Sequence, residues 1–212
     1  MKRIICSVCF LVFLNCLFAQ ESVSDSKFGI YIKGSLVHSY SFDLNNTLGN
    51  MGCKKIPDVL TAGVWGISYN IKKVEMTLDM GIEGHYSNKT RLLNFIANTS
   101  VGYELMLQKK HSLIFAGNIA YNIYNVFANI EKGNLDFENA TLTNATMFHL
   151  ELQQLMIGPK ITWRNKICDV SIGYDIGCIP LCWTSNSVNI LNSPKERIDR
   201  IHFDLAIYFA KY

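Results

Sequence analysis

The chain of 212 residues has the length of one domain, which excludes an assembly of several folded units. Hydrophobic residues make up 49% of it and charged residues only 17%, against roughly a quarter in ordinary soluble domains, so we expect part of its surface to face something other than water. The net charge of +3 is too small for a surface that binds a polyanion through bulk charge, and we expect no nucleic-acid partner.

Residues 1–20 are typical of a secretory signal peptide. Lys2 and Arg3 precede an apolar run over 4–18, and a polar stretch follows Gln20. A membrane-spanning helix needs about 20 apolar residues, and Asn15 interrupts this run. Beyond it the chain has no uninterrupted apolar stretch of that length. We therefore predict an exported protein that does not enter a membrane through helices.

The predicted mature chain keeps four cysteines, at Cys53, Cys168, Cys178 and Cys182. Export permits disulfides, and the pairing we consider joins Cys53 to Cys178 or Cys182. The alternative is that all four act as small apolar fillers. Their spacing is not that of a zinc site, and we predict neither a metal nor a cofactor.

From residue 27 onward the chain alternates apolar and polar residues, which predicts β-strands. The predicted strands lie at 27–42, 59–70, 74–86, 94–108, 112–129, 148–163, 169–177 and 201–209. The second strand has ambiguous parity. The sixth changes phase, from Phe148, Leu150 and Leu152 to Leu155 and Ile157, which predicts a bulge near Gln153 and Gln154.

The connections between these strands alternate in length. Long or middling segments at 43–58, 87–91, 130–147 and 181–200 alternate with short ones at 71–73, 109–111 and 164–166. In an up-and-down barrel, alternate connections share one rim. We therefore predict an all-β fold, a closed eight-stranded antiparallel transmembrane barrel at 21–212, with short periplasmic turns and longer outer loops.

Three features favour a membrane barrel over a soluble one. The apolar faces are long enough to cross a bilayer, small residues accompany the charges on the polar faces, and aromatic residues lie near strand ends, at Tyr69, Tyr86, Trp163 and Tyr212. The alternative is a secreted lipocalin-like carrier, in which Met76, Leu78 and Met80 would line a ligand cavity.

The polar faces carry opposite charges that a barrel would enclose. The acidic members are Glu75, Asp79, Glu83, Glu104, Asp169, Asp175 and Asp204, and the basic ones are Lys33, His85, Lys160 and His202. Because eight strands leave room only for side chains, we predict a hydrogen-bonded plug. A cation path or a carboxylate site is the functional alternative.

Several short motifs resemble those of a known family. The opening strand has Phe28-Gly29-Ile30 and Gly34, a late strand has Gly173-Tyr174-Asp175, and the alternating last strand ends in an aromatic residue. The chain resembles the small outer-membrane β-barrel domain proteins of Gram-negative bacteria. The resemblance implies an outer-membrane location and recognition of the terminal strand, at 203–212, by the barrel-insertion machinery.

The sequence suggests no catalytic site, and we predict a non-enzymatic protein. A lipid A-modifying hydrolase would need a serine near a histidine, for which the candidates are His38 with Ser39, and His85 with Glu83 and Ser87. Neither set has the Gly-x-Ser-x-Gly signature.

We assign function to the loops at 43–58, 130–147 and 181–200, in surface interaction or envelope structure. The expected partners are outer-membrane lipid, the insertion machinery and an extracellular or periplasmic protein. The basic pairs Lys72-Lys73, Lys109-Lys110 and Arg164 with Lys166 mark the short turns. They suggest contact with anionic headgroups, with a periplasmic partner or with a secretion complex, or else ordinary solvated hairpins.

Overall fold

The computed structural model describes residues 26–211 apart from 41, 51, 88–89, 109–110, 130–134, 137–146, 166, 187–189 and 194. Eight long antiparallel strands close into one barrel. They are β1 (Ser26–Ser39), β2 (Val59–Ile71), β3 (Val74–Tyr86), β4 (Thr90–Gln108), β5 (His111–Asn129), β7 (Met147–Arg164), β8 (Cys168–Gly177) and β12 (Arg200–Lys211). Each pairs with its neighbour in chain order and β1 pairs with β12, which confirms the predicted eight-stranded up-and-down barrel.

The remaining elements lie in the long connections. They are the helix α1 (Leu44–Asn50) and the short strands β6 (Leu135–Asp136), β9 (Leu181–Cys182), β10 (Ile190–Leu191) and β11 (Lys195–Glu196). β6 pairs with β10, and β9 pairs with β11. We call this end of the barrel the loop rim and the end with the short connections the turn rim. The predicted difference between the two rims is confirmed.

The side chains alternate across the barrel wall as predicted, with apolar residues outside and polar residues inside. On the outer face Met80 is 43% exposed and Phe203 is 53% exposed, whereas Asp79 and Asp204 point inward and are 0% and 4% exposed. Closure leaves the barrel without an open edge, because every strand has a hydrogen-bonded neighbour on both sides.

The ambiguous second strand turns Leu60, Ala62 and Val64 inward and Trp65 outward. Its inner face is apolar near the loop rim, and Ser68 and Asn70 make it polar towards the turn rim. The sequence was ambiguous because the strand has apolar residues on both faces: on the inner face near the loop rim, and on the outer face from Trp65 towards the turn rim.

The predicted bulge near Gln153 and Gln154 is wrong. β7 pairs with β5 from Arg164 to Met147 without a shift in register. Phe148, Leu150, Leu152 and Gln154 all point inward and are buried. What changes along β7 is which face is apolar, and the strand keeps its phase.

The reversal occurs near the loop rim on the three longest strands, which we call the extended strands. β4 and β5 have 19 residues each and β7 has 18, whereas β3 has 13 and β8 has 10. The extra length of β7 lies at the loop rim, since its pairing with β8 begins only at Met156, whereas that of β4 lies at the turn rim, since Val74 of β3 pairs with Tyr103. Near the loop rim Asn125, Glu151 and Gln153 face outward. There the outer face of β7 is polar and the inner faces of the extended strands are apolar, as expected for a wall that stands in water and covers a core.

Three predicted features fall wholly or mainly outside the described residues: the signal peptide at 1–20, Tyr212 and most of the loop at 130–147. In the described part of the chain, no helix is both long and apolar enough to span a bilayer. Of the two alternatives for the cysteines, the disulfide from Cys53 to Cys178 or Cys182 is not formed: Cys53 is a buried free thiol, and Cys178 and Cys182 are exposed free thiols.

Candidate functional site: a plugged barrel beneath a folded loop cap

The barrel interior near the turn rim is organised by Arg164. Its guanidinium lies 2.6 Å from Asp169 and 2.7 Å from Glu75, and it donates to the Tyr208 hydroxyl at 2.8 Å. The Tyr208 hydroxyl in turn donates to Asp169. The sequence placed Arg164 in a basic turn with Lys166, and that assignment is wrong, because Arg164 is the last residue of β7 and points inward.

The other basic turn residues divide into two groups. Lys72 and Lys73 are exposed at the turn rim, as expected, and Lys73 lies 6.0 Å from the ring centre of Tyr103. Lys109, Lys110 and Lys166 lie outside the described residues.

The middle of the lumen is built around Lys33 and Asp79. The Lys33 ammonium donates to Asp79 at 2.7 Å and lies 3.8 Å from Asp204. Asp79 also accepts a hydrogen bond from the Tyr31 hydroxyl, and Asp204 lies 3.0 Å from Nδ1 of His202. The strands β1, β3 and β12 supply these groups, so the cluster joins β3 to the β1–β12 pair across the inner face of β2.

Nearer the loop rim, Arg200 holds a third cluster. It donates to Asp175 at 2.9 Å and to the side-chain oxygen of Asn122 at 2.8 Å, and lies 3.8 Å from Glu83. Asn118 donates to Asp175 at 2.6 Å. Most of the charges predicted to face inward are therefore in the plug, together with Arg164 and Arg200, which sequence reasoning left in connections. The alternation of the last strand could have placed Arg200 inside the barrel, because Arg200 precedes His202 and Asp204 at intervals of two residues.

Two small cavities lie between the clusters in the described part of the lumen. One cavity between the Arg164 and Lys33 clusters measures about 20 Å³, and a second between Lys33 and Arg200 also measures about 20 Å³. Each has room for roughly one water molecule. The paired charges and the small size of these two cavities favour the predicted plug over a cation path.

A folded cap closes the barrel at the loop rim. From the loop after β1, Phe42, Leu44 and Leu48 are at most 1% exposed, and from the loop after β8, Trp183 is 2% exposed. They form one apolar cluster with the inner faces of the extended strands, at Leu92, Tyr124, Val126, Ala128, Phe148, Leu150 and Leu152. The sequence indicated this core only through the phase change of the sixth predicted strand.

Polar contacts fix the two loops to each other. The buried carboxylate of Glu196 accepts a hydrogen bond from the backbone N–H of Asp43 at 2.7 Å and another from the indole N–H of Trp183. Burial raises the pKa of Glu196 to about 7, although both N–H donors act in the opposite direction. Asn45 in α1 accepts from the N–H of Ile56 at 2.7 Å and donates to its carbonyl at 2.9 Å.

The two candidate hydrolase sets do not assemble. His38 and Ser39 are neighbours on one strand, and Ser39 points inward and is fully buried. The Ser87 hydroxyl donates to the carbonyl of Thr90 at 2.9 Å, which makes it part of the turn between β3 and β4. Glu83 accepts from Asn94 at 3.0 Å and belongs to the plug. Within the described ranges, no group of acidic, histidine and cysteine side chains has the arrangement of a metal site.

Comparison with known proteins identifies the fold. No protein family profile matches the chain, and no curated protein matches it in sequence. Among solved structures, Neisserial surface protein A (NspA) superposes with a TM-score of 0.50 and 10% identity, over 89% of this chain and 100% of NspA.

The attachment invasion locus protein Ail of Yersinia pestis, in complex with the heparin analogue sucrose octasulfate, superposes with a TM-score of 0.50 and 7% identity, over 89% of this chain and 99% of Ail. At these identities the likeness concerns the fold alone. The chain has the fold of the small outer-membrane β-barrels of Gram-negative bacteria. The resemblance noted in the sequence is confirmed at that level.

Proposed function

We propose that this protein is an integral outer-membrane barrel of a Gram-negative bacterium, that it is non-enzymatic, and that its capped outer loops act in surface interaction or envelope structure. The reversal of polarity along β7, together with the apolar inner faces of β4 and β5 beside it, carries the proposal. Apolar side chains cover the outside of the barrel up to a level near Leu155 and fill the inside above it. Such a pattern fits a wall that leaves hydrocarbon and enters water at that level.

Aromatic and basic side chains at the two ends support this placement. Near the turn rim, Trp163 stacks on His111 with ring centres 5.4 Å apart. Near the loop rim, the Arg91 guanidinium lies 4.5 Å from the ring centre of Tyr86 and donates to its hydroxyl at 3.0 Å. Side chains of this kind are enriched at membrane interfaces.

The plug and the cap support a role at the surface. The lumen is filled by paired charges, and the serines considered for a hydrolase serve a turn or lie buried in the wall. The carrier alternative requires the methionine side of β3 to face a cavity, but Met80 is 43% exposed on the outside. The part of the molecule available to another molecule is therefore the polar outer face of the cap and of the extended strands.

Cell fractionation tests the location. Expressed in a Gram-negative host, the protein should enter the outer-membrane fraction and migrate differently on a gel with and without boiling. Recovery as a soluble periplasmic protein would contradict the proposal and favour a carrier. Turnover of lipid A that is lost in the Ser39→Ala or Ser87→Ala variant would instead favour a hydrolase.

Lysine labelling tests the orientation. A membrane-impermeant amine reagent applied to intact cells should label Lys54, Lys55 and Lys195, which are exposed at the loop rim. Lys72 and Lys73 at the turn rim should react only after the outer membrane is permeabilised. The opposite pattern would place the cap on the periplasmic side and would remove the basis for a surface role.

A further inference from the structure

The segment 178–182, which leaves the barrel after β8, presents an unbroken apolar surface although it belongs to an outer loop. Its sequence is Cys-Ile-Pro-Leu-Cys, and all five residues are exposed. Ile179 is 63% exposed and Leu181 is 40% exposed. The next residue, Trp183, is buried in the cap, so the apolar residues of the loop divide between the cap core and the outside.

Backbone contacts fix the height of this segment on the barrel. The N–H of Cys178 donates to the carbonyl of Leu155 at 2.9 Å, and Thr184 forms an antiparallel bridge with Glu151. The segment therefore runs beside β7 as a continuation of β8. It covers the stretch of the β7 edge that β8, whose pairing with β7 begins at Met156, does not reach.

The apolar surface of the segment is continuous with that of the barrel. Leu155 is 47% exposed, Ile157 is 50% exposed and Ile176 is 38% exposed, and all three lie directly below or beside it. Polar residues mark its upper limit, where Thr184 is exposed and Glu151 faces outward. Lys195, opposite Cys182 in the β9–β11 pair, is long enough to reach headgroups while its stem stays at the apolar edge.

We infer that segment 178–182 is embedded in the outer leaflet of the bilayer, so that this part of the loop binds lipid and is withheld from the extracellular surface. The inference rests on the proposed membrane location. Exposure of the Ile179 and Leu181 side chains to water is unfavourable in free energy, and the adjoining apolar surface of the barrel faces hydrocarbon in the proposed location. Consequently the cap is anchored to the membrane at the β7–β8 side of the barrel.

Photolabelling of the full chain in lipid vesicles tests this directly. A lipid-dissolved diazirine probe is activated by light, and the labelled positions are read from peptide masses. We expect labelling at Ile179 and Leu181 as well as at Phe203 and Phe209 of the barrel surface, and none at the exposed Lys54 and Lys55. Labelling of Phe203 and Phe209 without Ile179 and Leu181 would overturn the inference and leave the membrane proposal intact. No labelling at any of these positions would overturn both.

A pair of variants separates lipid contact from nonspecific reactivity. Ile179→Asp should lower labelling at Leu181 severalfold without changing that at Phe203, because a carboxylate is excluded from hydrocarbon. The matched variant Thr184→Asp, at the polar end of the same segment, should leave labelling at Leu181 unchanged. Equal labelling of Leu181 in both variants would contradict the inference.

Discussion

Replacing Arg164 with methionine tests whether this residue belongs to the plug or to the turn. The Arg164 side chain is 10% exposed and contacts Asp169 at 2.6 Å and Glu75 at 2.7 Å. Its removal leaves two buried carboxylates without the guanidinium that contacts them, and breaking a buried ion pair in this way costs about 3–5 kcal/mol. Lys73, exposed in the turn after β2, provides the matched control, since Lys73→Met should change stability by less than about 0.5 kcal/mol.

Urea unfolding of the protein in vesicles, followed by tryptophan fluorescence, measures the difference. With a slope of about 1–3 kcal/mol per molar urea, a loss of that size should lower the midpoint by roughly 1 M or more. The variant that combines Arg164→Met with Glu75→Gln and Asp169→Asn should regain more than half of the lost stability, because amides are less costly to bury than carboxylates.

Two results would refute this reasoning. If Arg164→Met unfolds at the same midpoint as Lys73→Met, the guanidinium does not stabilise the plug. If the triple variant is no more stable than the single one, the loss comes from packing of the arginine stem rather than from the uncompensated charges.

Three further predictions concern the cap and the wall. The pKa of Glu196 is raised in the folded cap to about 7 from an ordinary 4.5. Its protonation therefore stabilises the cap fully below pH 4.5, and this contribution is lost as the pH rises through 7. The Glu196→Gln variant should abolish this pH dependence, measured as the hydrogen exchange of cap amides corrected for intrinsic rates. Leu150→Ala, at a fully buried position, should destabilise the cap by about 2–5 kcal/mol and expose the loops to protease, whereas Glu151→Ala on the outer face should not. Gly158→Ala should reduce the folded fraction on unboiled gels, because a Cβ there would overlap a backbone carbonyl of β8, while Gly117→Ala, with open space around it, should fold normally.

The strand count, the two kinds of connection and the orientation of the wall were predictable from sequence, because each depends on a period of two over many residues. Val74, Met76, Leu78 and Met80 alternate with polar residues without exception, and the structure keeps that alternation. A local pattern of this kind requires no knowledge of distant residues.

The cap was not predictable in the same way. Its core depends on which loop residues meet the extended strands, and α1 has only seven residues, too few to show a helical stripe. The phase change in β7 was visible, but a bulge and a change of surroundings produce the same sequence pattern. Arg164 and Arg200 were missed for a related reason, since a charge at the end of a strand has the composition of a turn whichever way it points.

The unbroken pairing of β5 with β7 has a mechanical consequence. The ladder runs from Ser112 and Arg164 at the turn rim to Asn129 and Met147 beyond the loop rim, with no shift and no hinge. A receptor domain on a flexible tether can swivel and change its distance from the cell, because its linker stretches and folds back. Here the part of β5 and β7 above the loop rim continues the barrel strands below it, so a molecule bound there is held at one height and one angle. A force applied to that molecule is carried by the hydrogen bonds along the whole length of the two strands.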